Sequence, residues 1–161
     1  MISTPTTASI RNGFFTSDGS MIRYCYLLLF LAACGTPAST DEDDVRRQAE
    51  GIIAADNRAD LDGVMRYYAE NAILIPPGAP DIQGHVAIRA HYQKIFESSV
   101  PRLTITIDEI SVSGTQAVCR GGTGGEVLIK GDSTVKIVND KFLMVLEKTD
   151  DWRITHLIWN R

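Results

Sequence analysis

The sequence predicts an α+β domain in which three N-terminal helices pack on a strongly curved antiparallel sheet. Three observations predict it. Apolar residues recur at helical spacing between about Asp43 and Glu97. Strand-like alternation dominates from Leu103 to the end of the chain. That alternation changes phase inside one strand, which is the mark of a bulge and a bent sheet. Helices first and strands after point to helices laid on one face of a sheet.

The first segment departs from this pattern. Residues 1–20 ("MISTPTTASIRNGFFTSDGS") are polar, small and aperiodic, which reads as disorder or as a start codon placed too early, Met21 being the alternative. Arg23 then precedes an apolar run from Tyr24 to Ala33 that is too short to span a bilayer, so residues 1–33 read as a secretory signal with an extension. Leu31-Ala32-Ala33-Cys34 resembles the bacterial lipobox, which implies lipid on the Cys34 thiol and a chain anchored on the periplasmic or extracellular side of the cell envelope. Cleavage after Ala33 without lipidation is the plainer alternative. Several acyl chains hold a protein on a membrane where one is marginal. Gly35 is not the aspartate that resembles an inner-membrane retention signal, which leans toward the outer membrane in a two-membrane cell. Residues 34–40 form a short tether, and 41–161 the domain.

Loss of residues 1–33 removes Arg11, Arg23 and Asp18 and takes the net charge from −4 to −5. No basic stripe marks a nucleic-acid partner. Cys25 leaves with the signal and Cys34 is acylated. Cys119 is then the remaining thiol, and the fold is held by its core rather than by a disulfide.

Thr40 with Asp43 matches a helix capping pattern. The first helix runs to about Arg58 with Val45, Ala49, Ile52 and Ile53 as its stripe, and Asp56 is the next position on it. Asp60 caps a second helix from Leu61 to about Tyr68. Ala72 to Ile75 reads as a short strand stopped by Pro76-Pro77. The third helix runs from about His85 to Glu97, with Ile88, Tyr92, Ile95 and Phe96 inward. Leu103, Ile105 and Ile107 alternate, then the phase shifts to Ile110 and Val112. "SGTQ" is a hairpin turn. Ala117 to Ile129 returns through Gly121, Gly122, Gly124 and Gly125, read as a bulge or a flexible strand end. Lys130 to Asn139 reads as loop with some strand. Asp140 to Lys148 and the closing "DDWRITHLIWNR" supply the last two strands.

The segments "NRADLDGVMRYYAENAIL" (Asn57–Leu74), "GTQAVCRG" (Gly114–Gly121) and "KFLMVLEKTDDWRITHLIWN" (Lys141–Asn160), with Gly84 and the helix after it, resemble the nuclear transport factor 2-like superfamily, in its SnoaL-like, SgcJ/EcaC-type branch. The resemblance covers about Asp41 to Arg161. It implies a cone-shaped (cystatin-like) fold, a cavity at the open end and dimerisation through the sheet. The superfamily includes ketosteroid isomerase, scytalone dehydratase, polyketide cyclases and many binding domains without catalysis, so fold does not settle function.

Two residues stand out as candidate catalytic groups. Strict alternation along the last strand puts Trp152, Ile154, His156, Ile158 and Asn160 on the inner face. His156 there is either an acid, base or ligand donor, or a neutral core histidine with a hydrogen bond. Asp56 is either a buried carboxylate that meets His156 or Tyr67 and abstracts a proton beside a carbonyl, or a solvated residue past the helix end. Tyr67, Tyr68, Tyr92, Trp152 and Asn160 are candidate ligand contacts, the tyrosines being otherwise core residues with wet tips. No metal-ligand spacing and no phosphate loop or nucleophile elbow occurs, so neither metal nor cofactor is expected. Cys119 reads as a small core residue. On the opposite face, Leu157 and Trp159 with Leu143 and Val145 form a patch too apolar for a solvated surface, read as a homodimer contact.

These readings converge on a lipid-anchored domain that binds a small, largely apolar molecule. An isomerase, dehydratase or cyclase-type enzyme using Asp56 or His156 is the alternative, and a non-catalytic dimeric interaction module is the third. No complete acid–base set of a catalytic member can be matched residue by residue.

Overall fold

The computed structural model describes residues 40–160. The signal segment, Cys34 and all of the tether but Thr40 lie outside them. Helix α1 spans Asp41–Asn57 and opens with the expected capping box: the Asp43 N–H donates to Thr40 Oγ1 at 3.2 Å, and the Thr40 N–H donates back to Asp43 Oδ2 at 3.4 Å. Val45, Ala49, Ile52 and Ala55 bury one stripe of it. Asp60 caps α2, Leu61–Met65, by accepting the Gly63 N–H at 2.8 Å. This helix is shorter than expected. A turn closed by the Tyr67 N–H on Val64 O releases Tyr68 into strand β1, Tyr68–Ile75. The short strand β2, Ile82–Gln83, pairs with β1, and α3 follows over His85–Ser98.

Four long strands complete the domain: β3 Ser99–Ser113, β4 Gln116–Ile129, β5 Val135–Lys148 and β6 Trp152–Asn160. With β1 and β2 they form one curved six-stranded sheet in the order β2-β1-β6-β5-β4-β3. The sheet is mixed rather than wholly antiparallel, because β1 runs parallel to β6. The reason is topological. From β1 the chain passes through α3 to the far edge, then returns by three antiparallel pairings, and β6 arrives beside β1 in the same direction.

The phase change read at Ile107 is a bulge in β3: Ile107 pairs with Gly121 and Glu109 with Arg120. The glycine-rich run of β4 neither bulges nor ends the strand. A Cβ on Gly121 would lie 1.9 Å from the Thr106 carbonyl oxygen, so glycine lets β4 close on β3 there. Gly125, at φ +125°, fills a conformation that other residues rarely adopt. The stretch read as loop after Lys130 joins the sheet from Val135, where pairing continues to Leu128.

A second bulge had no counterpart in the strict alternation. Val145 pairs with His156 and Leu146 with Ile154, so Thr155 is the extra residue on β6. Trp152 and Ile154 face the core before it, and Leu157 and Trp159 face inward after it. The core gathers Trp152, Ile154, Leu146, Ile88, Val64 and Val45, all at 2% exposure or less.

Candidate functional site

Between the two longer helices and the concave face of the sheet lies a cavity of about 290 Å³. Ile53 and Asp56 reach it from the last turns of α1, because the helical period carries the buried stripe on to those positions. Tyr92 and Ile95 reach it from α3. Phe142 comes from β5 and Trp159 from β6, paired with one another across the two strands, with Gly121 beside Phe142 on the next. Asn57 fixes the end of α1 to the sheet edge: its Nδ2 donates to Leu103 O at 2.8 Å and its Oδ1 accepts the Leu103 N–H at 2.7 Å. The residue beside Asp56 therefore anchors the turn that carries it.

Asp56 is the chemically unusual member. Its Oδ1 is sealed from solvent and has no hydrogen-bond partner. Burial raises its carboxyl to about 7, so it changes charge near neutral pH. The Tyr68 and Tyr92 hydroxyls share a hydrogen bond of 2.9 Å, and both are pushed upward by burial first, with the negative charge of Asp56 adding to it. They stay protonated across the physiological range. The site thus combines a neutral-to-anionic carboxyl, Tyr92 in the lining with Tyr68 hydrogen-bonded behind it, and mostly apolar surroundings.

The structure brings Asp56 and Tyr92 into one cavity. It does not bring His156 or Asn160 there. The Thr155 bulge shifts β6 by one residue, which turns both outward. His156 is exposed and its Nδ1 lies 3.2 Å from Thr155 Oγ1. It is neither a core histidine nor a partner for Asp56. Trp152 is buried at the other end of the strand, where its Nε1–H donates to Asp41 Oδ1 at 3.4 Å and Lys148 Nζ stands 5.7 Å from its ring centre. Tyr67 packs over Gly51, whose added Cβ would lie 2.4 Å from the tyrosine hydroxyl. Tyr68 stands behind Tyr92 rather than in the lining. Cys119 is fully buried, and burial pushes its thiol up to about 11.

The same bulge revises the outer patch. Leu157 and Trp159 belong to the inner face. Outside, Val118, Leu143 and Ile158 are 38–39% exposed and lie on adjacent strands, with Val145 beside them. The residues missed from sequence were Asp140, Phe142 and Trp159. One signal could have found Trp159: after Thr155 the apolar residues at Leu157 and Trp159 alternate with the polar His156 and Asn160.

Fold and cavity together define a class: an α+β pocket domain whose bent sheet wraps its helices around a ligand-sized space. The SnoaL-like domain pattern matches residues 49–156, and the chain belongs to that family, within the nuclear transport factor 2-like superfamily. Among solved structures, a ketosteroid isomerase-like protein from Erwinia carotovora atroseptica SCRI1043 is 24% identical, with a TM-score of 0.70 over 74% of this chain and 94% of that one. An NTF-2 like protein of unknown function from Shewanella oneidensis MR-1 is 29% identical, with a TM-score of 0.62 over 76% and 100%. A cystatin-like domain of unknown function from Nostoc punctiforme PCC 73102 is 25% identical, at 0.62 over 75% and 76%. No match was found among curated proteins.

Proposed function

We propose that this chain is a lipid-anchored, extracytoplasmic domain that binds one small, largely apolar molecule in the cavity, where Asp56 meets the polar end of the ligand. The observation that carries the reading is the partnerless Asp56 Oδ1 in an apolar cavity of about 290 Å³. A buried polar atom costs free energy unless something completes it, and a ligand does so when bound. The test is a thermal-shift screen of small aromatic and alicyclic compounds, with Asp56→Leu beside the wild type. A ligand at about a hundred times its Kd stabilises by about 2.7 kcal/mol, a shift of several degrees for a domain of this size. Shifts that disappear in the variant support the reading; a wild type that responds to no compound overturns it.

Lipid attachment rests on the Leu31–Cys34 motif behind the apolar run. Mass spectrometry of the membrane-extracted protein reads it directly: an acylated N-terminal Cys34 is expected, and an unmodified chain starting there refutes it. The exposed Val118, Leu143 and Ile158 support a second copy of the chain docked sheet to sheet.

A second reading is an isomerase, dehydratase or cyclase. Asp56, ionising near neutral pH, would take a proton beside a carbonyl while the Tyr92 hydroxyl donates to the carbonyl oxygen. Turnover of a bound ketone that Asp56→Asn abolishes without weakening binding would establish it. His156 and Asn160 have no part in this reading.

A further inference from the structure

We infer that the ligand carries a protonated amine: Asp56 and the aromatic rings of Tyr92, Phe142 and Trp159 make a site for an ammonium group on a compact apolar body. The inference rests on the ligand-binding reading above and names the ligand class.

Three kinds of polar end could complete Asp56: an ammonium, a neutral donor, or an acceptor that meets the protonated acid. The lining favours the first. Its titratable groups are Asp56 from α1, Tyr92 from α3 and Asp140 from β5, and no lysine, arginine or histidine stands among the described residues that line it. The carbonyl end of α1 lies on the same wall as Asp56, and a helix C-terminus carries a partial negative charge that attracts cations. Anionic ligands are therefore disfavoured from three directions. The apolar remainder includes three rings, and the face of an aromatic ring attracts an ammonium, more strongly where water is excluded. Aromatic walls add nothing comparable for an alcohol or a ketone. A cavity of about 150 Å³ holds benzene, so this one, at about 290 Å³, has room for roughly a dozen heavy atoms. An aryl-ethylamine has that size.

Isothermal titration of the full chain with phenethylamine and tryptamine, set against the neutral phenethyl alcohol and tryptophol, tests this. At pH 8 the amine of a pair is expected to bind at least tenfold more tightly than its alcohol. Its affinity should fall about tenfold from pH 8 to pH 6 as Asp56 takes up its proton, since the amine itself stays charged throughout. Tyr92 and, behind it, Tyr68 on β1 do not titrate in that window. Strands β3, β4 and β6 present no titratable group to the cavity. Asp56→Asn should erase both the preference and the slope, while Asp140→Asn keeps them. Alcohols that bind as tightly as the amines overturn the amine as ligand class, and a preference that survives Asp56→Asn or a slope lost in Asp140→Asn overturns Asp56 as its counter-ion; each leaves the cavity as a binding site. Failure of amines and alcohols alike overturns the inference, and the ligand-binding reading falls only if the thermal-shift screen also finds no compound that stabilises the wild type.

Discussion

On the inner face of β5 and β6, Phe142, Met144, Leu157 and Trp159 meet the helices or the cavity. On the outer face of the same strands, Leu143, Ile158 and His156 meet solvent. The outer face mixes Leu143, Val145 and Ile158 with Lys141, Glu147, His156 and Asn160, so apolar side chains alone do not mark the pocket. What separates them is the company of charge. Inside, one carboxylate sits without a partner among apolar walls. Outside, charged groups are exposed to water, and some are paired there, as on β3 and β4, where Arg120 Nε donates to Glu109 Oε2 at 2.7 Å. A charge on a wet surface costs little. The same charge in a cavity is stored free energy that a ligand can release.

The largest effect should come from the end of β6 that closes the core. Trp152→Ala removes a side chain only 2% exposed and should cost about 3–5 kcal/mol in denaturant unfolding. A loss below about 1 kcal/mol would mean that Trp152 is not packed as described.

Asp56 should give the next largest effect, with a pH signature that the outer face lacks. Its folded value of about 7 lies above the ordinary 3.8. Between about pH 4 and 7 the folded protein holds a proton that the unfolded chain has released. Stability should therefore fall as pH rises through that window and level off above it. Roughly three pK units at about 1.36 kcal/mol each set an upper bound near 4 kcal/mol. Asp56→Asn should accordingly raise the melting temperature at pH 8 and leave it almost unchanged at pH 4. An equal effect at both pH values would remove the charge from the account.

Ile158→Lys addresses the outer face. If a second copy covers it, light scattering should show the variant as a monomer where the wild type is a dimer, because the substitution buries a charge at a symmetric contact. Within the monomer the change should stay near 0.5 kcal/mol, as exposed substitutions do. A wild type that is already monomeric would leave the patch solvated and end the docking reading.

The smallest effect is expected from His156→Ala: a shift within about 0.5 kcal/mol and no change in ligand binding. Loss of binding would return His156 to the cavity and contradict the bulge at Thr155.

Much of this was legible in the sequence where the signal is local. Thr40 and Asp60 cap because their side chains reach backbone N–H groups three residues on, and the stripe from Val45 reaches Asp56 because the helical period fixes which residues share a face. The phase change from Ile107 to Ile110 could be read because apolar residues mark both sides of it. The bulge in β6 was hidden. Ile154 and Ile158 are both apolar, so an unbroken alternation through His156 looked equally good, and one extra residue reverses every assignment after it.

By itself, then, the sequence determined that three helices precede the strands, the Thr40 and Asp60 caps, and the carboxylate on the buried stripe of α1, all of which follow from contacts within a few residues. The tertiary structure alone decided that β1 lies parallel to β6, that His156 points to solvent and Trp159 into the cavity, and that Phe142 stands there with Asp56. Those facts depend on strand register, which is set by partners far along the chain; the local alternation after Thr155 is compatible with the inward Trp159 but does not choose it over the unbroken pattern.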